Sequence, residues 1–311
     1  MEHPMNSMKI TAVVVTYNRL TLLKRTINAL RLQTHKLSSI IVVDNGATDG
    51  THEWLDAQTD LTVIHQENVG GSGGFWRGIK EGYERGFDWL WCMDDDVYPE
   101  LDCLEHLLSA AEPEDGMLCP LRKQNGKIFL SEVRSFNLRN PFRSLHAHSL
   151  TLQDIEGEST VSIEGIAFEG PLIRREVVEK IGLPNKDLFL LYDDSDYSLR
   201  TVLAGYRVRL VTDGILNKEL FFANDDIATA RQKGKWKLYY HIRNTVWFNR
   251  TYGRNWLVCT LRPVAVLLQY ELYVLKNLPF NKKYTIQDAR DFLTAYRHGC
   301  NNTLGKWNRN V

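Results

Sequence analysis

Residues Lys9–Thr16 read KITAVVVT, a short apolar run rich in β-branched side chains, which predicts a buried β-strand. Apolar residues then recur at helical spacing from Leu20 to Leu30, with Asn18 as the predicted N-cap of that helix. A second buried strand, SIIVVD, follows at Ser39–Asp44. Continuous apolar strands that alternate with helices are typical of a mainly parallel sheet with helices on both faces.

The alternation continues further along the chain. The same patterns predict helices over Thr51–Gln58 and Phe75–Arg85 and strands over Leu61–His65 and Trp89–Met93, with a further strand within Gly165–Arg175. Ligands of such sheets bind at the carboxyl ends of the strands. Three polar clusters fall at predicted strand ends: Thr16-Tyr17-Asn18, Asp44-Asn45-Gly46 and Asp94-Asp95-Asp96.

Length and charge limit the classes of function. The 311 residues suffice for one large domain or two modest ones, and we predict a catalytic domain over residues 1–235 and a helical region over 236–311. The formal net charge of +0 gives no reason to expect a nucleic-acid partner. Met1–Met8 is polar and lacks the apolar core of a secretory signal, which predicts a cytoplasmic protein.

The most apolar stretch lies in the C-terminal region, from Trp256 to Leu275. Arg262, Pro263 and Glu271 interrupt it, and a membrane-spanning helix needs about 20 predominantly apolar residues. We therefore predict a helix that is either buried or bound at a membrane surface.

Three adjacent carboxylates, Asp94, Asp95 and Asp96, directly follow the predicted strand Trp89–Met93. On an extended segment Asp94 and Asp96 would point to the same side, where two oxygen ligands suit Mg²⁺ or Mn²⁺. The alternative is a solvated loop after a strand. Three acids at the end of a buried strand favour the cation site.

The segment NVGGSGGF, Asn68–Phe75, is rich in glycine and precedes a predicted helix. Glycines allow backbone N–H groups to approach a phosphate or a sugar closely. The pattern matches neither the GxGxxG nor the GxxxxGK[ST] motif, and a flexible surface turn is the alternative interpretation.

A third cluster, YDDSDYSLR, occupies Tyr192–Arg200 at the start of a predicted helix. A carboxylate at this place could act as a general base on a hydroxyl group. The alternative is a set of acids that complement the helix dipole. A metal-binding carboxylate pair, a glycine-rich loop and a separate base are together what glycosyl transfer from a nucleotide sugar requires.

The ordered set of motifs resembles glycosyltransferase family 2, the inverting group with the GT-A fold. VVVTYNR (Val13–Arg19), VVDNGATDG (Val42–Gly50) and DDD match the opening pattern of that family. A narrower resemblance, to bacterial galactofuranosyltransferases and rhamnosyltransferases, rests on four segments: NVGGSGGFWRG (Asn68–Gly78), WCMDDDVYP (Trp91–Pro99), LYDDSDYSLR (Leu191–Arg200) and YYHIRN (Tyr239–Asn244).

The resemblance implies a role for each matching residue. Asp194 corresponds to the general base, Asp94 and Asp96 to the metal ligands, and Asp193 and Asp196 to residues on the acceptor side. The donor nucleotide sugar is expected at a larger set, in which Asp44 meets the base: Thr16, Tyr17, Asp44, Asn68, Gly70, Gly71, Gly73, Gly74, Arg77 and Asp95.

One position departs from the family pattern. Related enzymes usually place a third metal ligand, a histidine, where this chain has Asn217. An amide oxygen can bind a hard cation but cannot replace imidazole for softer metals, so we expect weaker metal binding or a water at that position. His241 is an alternative ligand by residue type.

We expect UDP-galactofuranose as the donor, with dTDP-rhamnose as the alternative, and a saccharide or lipid-linked saccharide as the acceptor in cell-surface polysaccharide synthesis. The aromatic residues of 236–278 could dock at the inner face of a membrane, or pack on the catalytic core or on a second subunit. Two functions of other classes are nucleotidyl transfer, which predicts a basic glycine-rich loop that VVVTYNR lacks, and non-catalytic saccharide binding, which three intact acids argue against.

Overall fold

A computed structural model describes residues 8–219, 234–277 and 284–308. The chain divides into two compact units, which we call the sheet unit and the helical unit. The sheet unit comprises Met1–Ser135, His148–Lys186 and Asp194–Phe221, and the helical unit comprises Phe136–Ala147, Asp187–Asp193 and Phe222–Val311. The predicted boundary at residue 235 directly follows residues outside the described ranges and stays a prediction.

Twelve strands are found in the described residues. They are β1 Ile10–Thr16, β2 Ser39–Asp44, β3 Thr62–His65, β4 Trp89–Asp94, β5 Val97–Pro99, β6 Asp115–Gln124, β7 Lys127–Ile128, β8 Val133–Phe136, β9 His146–Ser149, β10 Thr160–Ser162, β11 Leu172–Arg174 and β12 Arg207–Lys218. The first four strands agree with the predictions to within one residue at each end. Of the segment Gly165–Arg175, only β11 forms a strand.

Ten α-helices and one 3₁₀ turn at Lys186–Leu188 accompany these strands in the described residues. The helices are α1 Leu20–Arg31, α2 Thr51–Asp56, α3 Gly70–Glu84, α4 Cys103–Ser109, α5 Leu152–Ile155, α6 Arg175–Ile181, α7 Asp193–Leu203, α8 Lys237–Tyr252, α9 Trp256–Asn277 and α10 Ile286–Cys300.

The large sheet has the strand order β10-β12-β6-β11-β4-β1-β2-β3, with β5 paired to β12 and β7 to β6. Strands β3, β2, β1 and β4 are parallel neighbours, whereas β11 runs antiparallel between β4 and β6. This arrangement confirms the predicted mainly parallel α/β sheet with flanking helices.

Strand β1 contributes to apolar cores on both faces of the sheet. Val13 and Val15 belong to a cluster that includes Phe75 of α3. Ala12 and Val14 belong to a second cluster, on the other face, that includes residues of α1 and α4. Because successive strand residues point to opposite faces, a strand covered on both sides must be apolar throughout.

Helix α3 begins earlier than predicted, because it includes the glycines of the segment NVGGSGGF. A Cβ atom built on Gly74 would lie 2.5 Å from Cγ1 of Val15, and one on Gly78 would lie 2.3 Å from Cγ1 of Val13. A Cβ on Gly82 would lie 2.5 Å from Cδ2 of Leu90. The prediction of a glycine loop before the helix was therefore wrong: these glycines let a helix pack tightly on the sheet.

We expect Gly78→Ala to destabilise the protein by about 1–3 kcal/mol, because its methyl group would overlap the buried side chain of Val13. Gly71→Ala is the matched control, since a Cβ there meets nothing within 4 Å and alanine favours the helix by up to about 1 kcal/mol. Urea unfolding of both variants measures the difference. Equal stability of the two would contradict the packing role of the glycine face.

We predicted Asn18 as the N-cap of α1, and this prediction was wrong. Arg19 is the N-cap residue, and the carboxylate of Asp49 accepts a hydrogen bond from the backbone N–H of Leu20 at 3.1 Å. Asn18 instead has a φ of 53°, and its side-chain oxygen accepts a hydrogen bond from the N–H of Thr48 at 2.6 Å. A distant loop thus supplies the cap.

The helical unit has its own apolar core, formed by α8, α9 and α10 together with Phe189. Helix α10 begins with the predicted cap: Thr285 and Asp288 form a capping box, with the N–H of Thr285 donating to Asp288 at 2.6 Å. His241 lies on α8, beside the rings of Tyr192 and Tyr270.

Helix α9 continues through Pro263, and within the described residues it is the one helix long and apolar enough to cross a membrane. Of the two predicted alternatives, a buried helix does not fit its largely exposed side chains, and a helix at a membrane surface stays a prediction. Its exposed apolar residues recur every three or four positions and therefore share one face. They are Leu257, Leu261, Val264, Leu268, Leu272 and Leu275, and we call them the leucine face.

Candidate active site

The ends of β1, β2 and β4 bring three of the predicted site residues together. Thr16 pairs with Asp44 across β1 and β2, and Val15 pairs with Asp94 across β1 and β4. The carboxyl ends of these parallel strands therefore form one edge, as the sequence predicted.

Asp95 is buried at this edge and contacts three residues at the end of β1 and just after it. It accepts hydrogen bonds from the hydroxyl of Thr16 at 2.7 Å and the backbone N–H of Tyr17 at 3.3 Å, and it forms a salt bridge with Arg19 at 2.9 Å. These contacts fix the end of β1 to the end of β4. They give Asp95 a role inside the protein, and its predicted role in donor binding stays a prediction.

We call Asp94–Asp96 the acidic turn. The prediction that these three residues form an extended segment was wrong. Asp94 ends β4, and Asp95 and Asp96 form a turn before β5. The hydroxyl of Thr26 lies 2.9 Å from the carbonyl of Asp95 and 2.6 Å from that of Val97, which holds the turn on α1. Strand alternation therefore does not account for the arrangement of Asp94 and Asp96.

The acidic turn has the charge pattern of a cation site. Burial and the negative charges of Asp96, Glu169 and Asp95 raise the pKa of Asp94 well above its ordinary value. Arg19 compensates part of this charge through its contact with Asp96 at 3.2 Å. Crowded carboxylate oxygens in a partly buried place are ligands suited to Mg²⁺ or Mn²⁺, so these residues fit a divalent cation.

Asn217, the predicted third ligand, lies on β12 opposite Tyr98 of β5. The backbone N–H of Glu219 donates to the carbonyl of Asp96 at 2.9 Å, which ties the end of β12 to the acidic turn. The sheet therefore brings Asn217 near the turn, and its role as a ligand stays a prediction.

Sequence reasoning missed a charged group beside the acidic turn. Glu169 forms salt bridges with Arg122 of β6 and Lys218 of β12, and Arg122 also contacts Glu132 at 2.5 Å. Although burial alone would raise it, the two cations lower the pKa of Glu169 below its ordinary value. One signal was present: Glu169 is a lone acid within the predicted strand segment GIAFEGPLIRR.

The predicted base, Asp194, lies at the first turn of α7 and is partly buried. Burial raises its pKa to about 6; a hydrogen bond from the N–H of Ser195 at 2.6 Å opposes this rise, and the charge of Glu169 adds to it. The charge of Glu169 thus contributes to the raised pKa of both Asp94 and Asp194.

The two predicted acceptor-side acids are both buried. Asp196 forms a salt bridge with Arg200 one turn further along α7 at 3.0 Å, and Arg200 also donates to the carbonyl of Ile181 at 2.8 Å. Asp196 therefore helps to hold α7 in place. Asp193 is the last residue of the segment Asp187–Asp193, which belongs to the helical unit, and its role on the acceptor side stays a prediction.

The predicted donor-binding residues of α3 lie at its N-terminus. Asn68 accepts a hydrogen bond from the N–H of Gly70 at 3.0 Å, so its side chain helps to begin the helix. Arg77 lies two turns along the helix and pairs with Glu81 at 3.2 Å. A helix N-terminus with free N–H groups suits an anionic diphosphate.

Asp44 is surrounded by donors. Its Oδ1 accepts a hydrogen bond from the N–H of Ala47 at 2.8 Å, while Oδ2 lies 3.2 Å from Nδ1 of His52 and 2.9 Å from Nδ1 of His65. Although burial alone would lower it, the contacts with Asp44 and Asp56 raise the pKa of His65. The two histidines were not predicted as site residues.

Among solved structures, the chain is similar to the mannosyltransferase PcManGT from Pyrobaculum calidifontis in complex with GDP-Man and Mn2+. The TM-score is 0.53 at 18% identity, and the match covers 94% of this chain and 86% of that chain. At this identity the likeness shows the fold alone. The chain therefore has the GT-A fold, as its motifs predicted.

The family model "Glycosyl transferase family 2" matches residues 11–182, which is more than half of the chain. The protein therefore belongs to glycosyltransferase family 2, as its motifs predicted. This membership argues against the alternative of nucleotidyl transfer.

Two curated relatives are similar to this chain in sequence, and each is named for the sugar that it transfers. Galactofuranosyltransferase GlfT1 of Mycolicibacterium smegmatis is 31% identical over 201 residues, which are 63% of this chain and 66% of the relative. The dTDP-rhamnosyl transferase RfbF of Shigella flexneri is 24% identical over 215 residues, 67% of this chain and 68% of the relative. The match thus spans just under two thirds of the length of GlfT1.

Proposed function

We propose that the protein transfers galactofuranose from UDP-galactofuranose to a saccharide or lipid-linked saccharide hydroxyl, with inversion at the anomeric carbon. The observation that supports this most is the edge at which β1, β2 and β4 end, because it brings Asp44 of the proposed donor site and Asp94 of the proposed cation site together, while burial raises the pKa of the candidate base Asp194. The similarity to GlfT1 favours galactofuranose, and the similarity to RfbF keeps dTDP-rhamnose as the alternative donor.

In the proposed mechanism, Asp94 and Asp96 hold Mg²⁺ or Mn²⁺, with Asn217 as a further candidate ligand. The bound cation supplies charge neutralisation for the leaving nucleoside diphosphate. The N-terminus of α3 binds the diphosphate, and Asp44 binds the base of the nucleotide. Asp194 removes the proton from the acceptor hydroxyl, which then attacks the anomeric carbon from the face opposite the diphosphate.

A donor panel tests the choice of sugar. Purified protein with Mg²⁺ or Mn²⁺ and short saccharide acceptors should release UDP from UDP-galactofuranose faster than it releases dTDP from dTDP-rhamnose. Faster release of dTDP from dTDP-rhamnose would make dTDP-rhamnose the preferred donor in place of UDP-galactofuranose. No release of nucleotide from any sugar nucleotide would contradict the proposed activity.

The pH dependence of turnover follows from the pKa of Asp194, about 6. A general base acts only when it is deprotonated, so kcat should be constant above pH 7 and fall as the pH drops through about 6. Rates measured from pH 5 to 8 at saturating donor and cation check this. A rate that stays constant down to pH 5 would contradict the role of this carboxylate.

The variant Glu169→Gln tests whether kcat falls at low pH because Asp194 is protonated or because the protein as a whole is damaged by acid. Because the charge of Glu169 raises the pKa of Asp194 and that of Arg122 lowers it, the acid limb should move to lower pH in this variant. The contacts of Arg122 with Ser131 and Glu132 remain in this variant.

We propose further that the protein works in the cytoplasm at the inner face of the membrane, with the leucine face of α9 in contact with lipid. Trp256 and Tyr273 lie exposed near the two ends of this helix and Lys276 follows in its last turn, which suits the lipid–water interface. A second subunit is the alternative partner of this face.

Flotation with lipid vesicles tests the membrane contact. The wild-type chain should float with anionic vesicles, and Leu268→Glu together with Leu272→Glu should abolish flotation, because two charges on the leucine face would have to enter the lipid. Leu203→Glu, an equally exposed leucine on α7, is the control. Flotation that is equal in all variants would contradict the role of α9.

A further inference from the structure

His52, His65 and Asp56 surround Asp44, and the proposed mechanism uses only Asp44 of these four residues. One ligand atom from each of Asp44, His52 and His65 lies within 4.8 Å of the other two. The outer nitrogens of both imidazoles face Asp56: Nε2 of His65 lies 3.0 Å from its Oδ1, and Nε2 of His52 lies 3.6 Å from its Oδ2.

The distances suit a transition-metal cation. Around a tetrahedral Zn²⁺ with bonds of about 2.0–2.1 Å, neighbouring ligand atoms lie about 3.3 Å apart. Asp44 Oδ2 is 3.2 Å from His52 and 2.9 Å from His65. Both histidines are partly exposed, at 48% and 31% of their side chains, so small rotations can bring their Nδ1 atoms closer together.

The carboxylate of Asp56 faces the second ring nitrogens of His52 and His65, as is common at metal sites. Histidines that bind a metal through one ring nitrogen usually donate the other N–H to a carboxylate, which fixes the tautomer. Asp56 is placed to accept these N–H groups from His65 and, after a small rotation, from His52. Two imidazoles and one carboxylate prefer Zn²⁺ or Co²⁺, whereas the all-oxygen acidic turn prefers Mg²⁺ or Mn²⁺.

We propose that Asp44, His52 and His65 form a binding site for a Zn²⁺-class cation, distinct from the acidic turn, and that its occupancy excludes the nucleotide. The exclusion rests on the proposed function, in which Asp44 binds the base of the donor. Because Oδ1 of Asp44 is engaged by Ala47, the cation and the base compete for Oδ2.

Cobalt spectroscopy tests the site without any nucleotide. In saturating Mg²⁺, Co²⁺ should give the strong visible absorption of a four-coordinate ion, and His52→Ala and His65→Ala should each remove it. His106→Ala is the matched control, because His106 is another exposed histidine beside an aspartate, Asp102. Absence of the band in the wild type, or its persistence in His52→Ala, would overturn the proposal.

Competition tests the exclusion separately. Zn²⁺ at about ten times its own dissociation constant should weaken UDP binding about tenfold in the wild type and leave UDP binding by His52→Ala unchanged. Unchanged UDP affinity in the wild type, where the cobalt band is present, would overturn the exclusion. Failure of UDP to bind even without Zn²⁺ would contradict the proposed function and leave the metal site standing.

A second inference concerns the residues just before the base. Phe189, Leu191 and Tyr192 have positive φ angles of 64°, 68° and 70°. Side chains other than glycine rarely adopt this conformation, and it persists only where surrounding contacts hold it.

The contacts that hold this segment come from α8. The side-chain amide of Asn244, which is fully buried, donates to the carbonyls of Leu190 at 2.8 Å and Leu191 at 2.9 Å. The guanidinium of Arg243 donates to the carbonyl of Leu188 at 2.6 Å. Both residues belong to the segment YYHIRN, which the proposed mechanism leaves unused.

We infer that Asn244 is a positioning residue, which fixes the strained segment so that Asp194, two residues beyond Tyr192, is held in place for catalysis. This inference rests on the proposed role of Asp194. The backbone carbonyls of this segment need donors, and one primary amide that contacts three of them, those of Leu188, Leu190 and Leu191, fixes their direction.

Asn244→Ala should lower kcat by about 10-fold to 100-fold with the donor KM unchanged, because a displaced base affects chemistry and not donor binding. Asn249→Ala is the matched control: Asn249 is equally buried on α8 and bonds to the carbonyl of Thr245 at 2.7 Å, away from the strained segment. An equal loss of kcat in both variants would overturn the inference.

A milder variant keeps the test valid if Asn244→Ala folds poorly. Thr245→Val removes the hydroxyl that lies 2.8 Å from the hydroxyl of Tyr192, and should lower kcat in the same direction. Unchanged kcat in Thr245→Val and in a folded Asn244→Ala would overturn the inference, whereas turnover by Asp194→Asn would contradict the proposed function itself.

Discussion

Asp194→Asn is expected to lower kcat by about 10³-fold, near the middle of the range that general-base catalysis contributes. Asparagine has the same size and cannot accept the proton of the acceptor hydroxyl. Release of UDP at saturating donor and acceptor measures the rate. Because Asp194 is not among the proposed donor-binding residues, UDP affinity measured by calorimetry should stay at the wild-type value.

Asp213→Asn is the matched control, since Asp213 is an exposed aspartate on β12. It should keep full turnover. Wild-type turnover in Asp194→Asn would remove this carboxylate as the base, and loss of UDP binding in that variant would show that its role is not confined to the acceptor side.

The second large effect is expected at the acidic turn. Asp94→Asn should weaken UDP binding in Mg²⁺ or Mn²⁺ by at least about tenfold, because even residues that only support metal ligands contribute 10-fold to 100-fold. Asp94 is a better choice than Asp96, whose replacement would also break the salt bridge with Arg19. Titration of UDP with and without the cation measures the change.

In the wild type, removal of the cation with a chelator should weaken UDP binding by a similar factor. In Asp94→Asn the chelator should have little further effect, because the cation is already lost. A variant that binds UDP as tightly as the wild type, with the same response to chelator, would show that the acidic turn does not hold the cation.

The fold of the sheet unit could be predicted from the sequence because its signals are local. A continuous apolar strand such as β1 differs in its pattern from an amphipathic helix such as α1, and the polar residues at strand ends mark the ligand edge. Thr16, Asp44 and Asp94 were placed at one edge by this reasoning, and the strand register confirms it.

Other features depend on residues that are distant in the sequence. The glycines of α3 were interpreted as a loop that approaches a phosphate or a sugar, because the sequence does not show that Val13 and Val15 occupy the space where a Cβ atom on Gly78 or Gly74 would lie. The cap of α1 comes from Asp49, about thirty positions away, and not from the adjacent Asn18. Local patterns cannot identify partners that only the folded sheet brings near.

By itself, the sequence determined the parallel α/β architecture, the family and the acids at the strand ends, because periodicity and short motifs reflect contacts within a few residues. Only the tertiary structure joined His52 and His65 at Asp44 and let the charge of Glu169 act on both Asp94 and Asp194. Charges act through space, so the pKa of a base is decided by neighbours that chain order does not reveal.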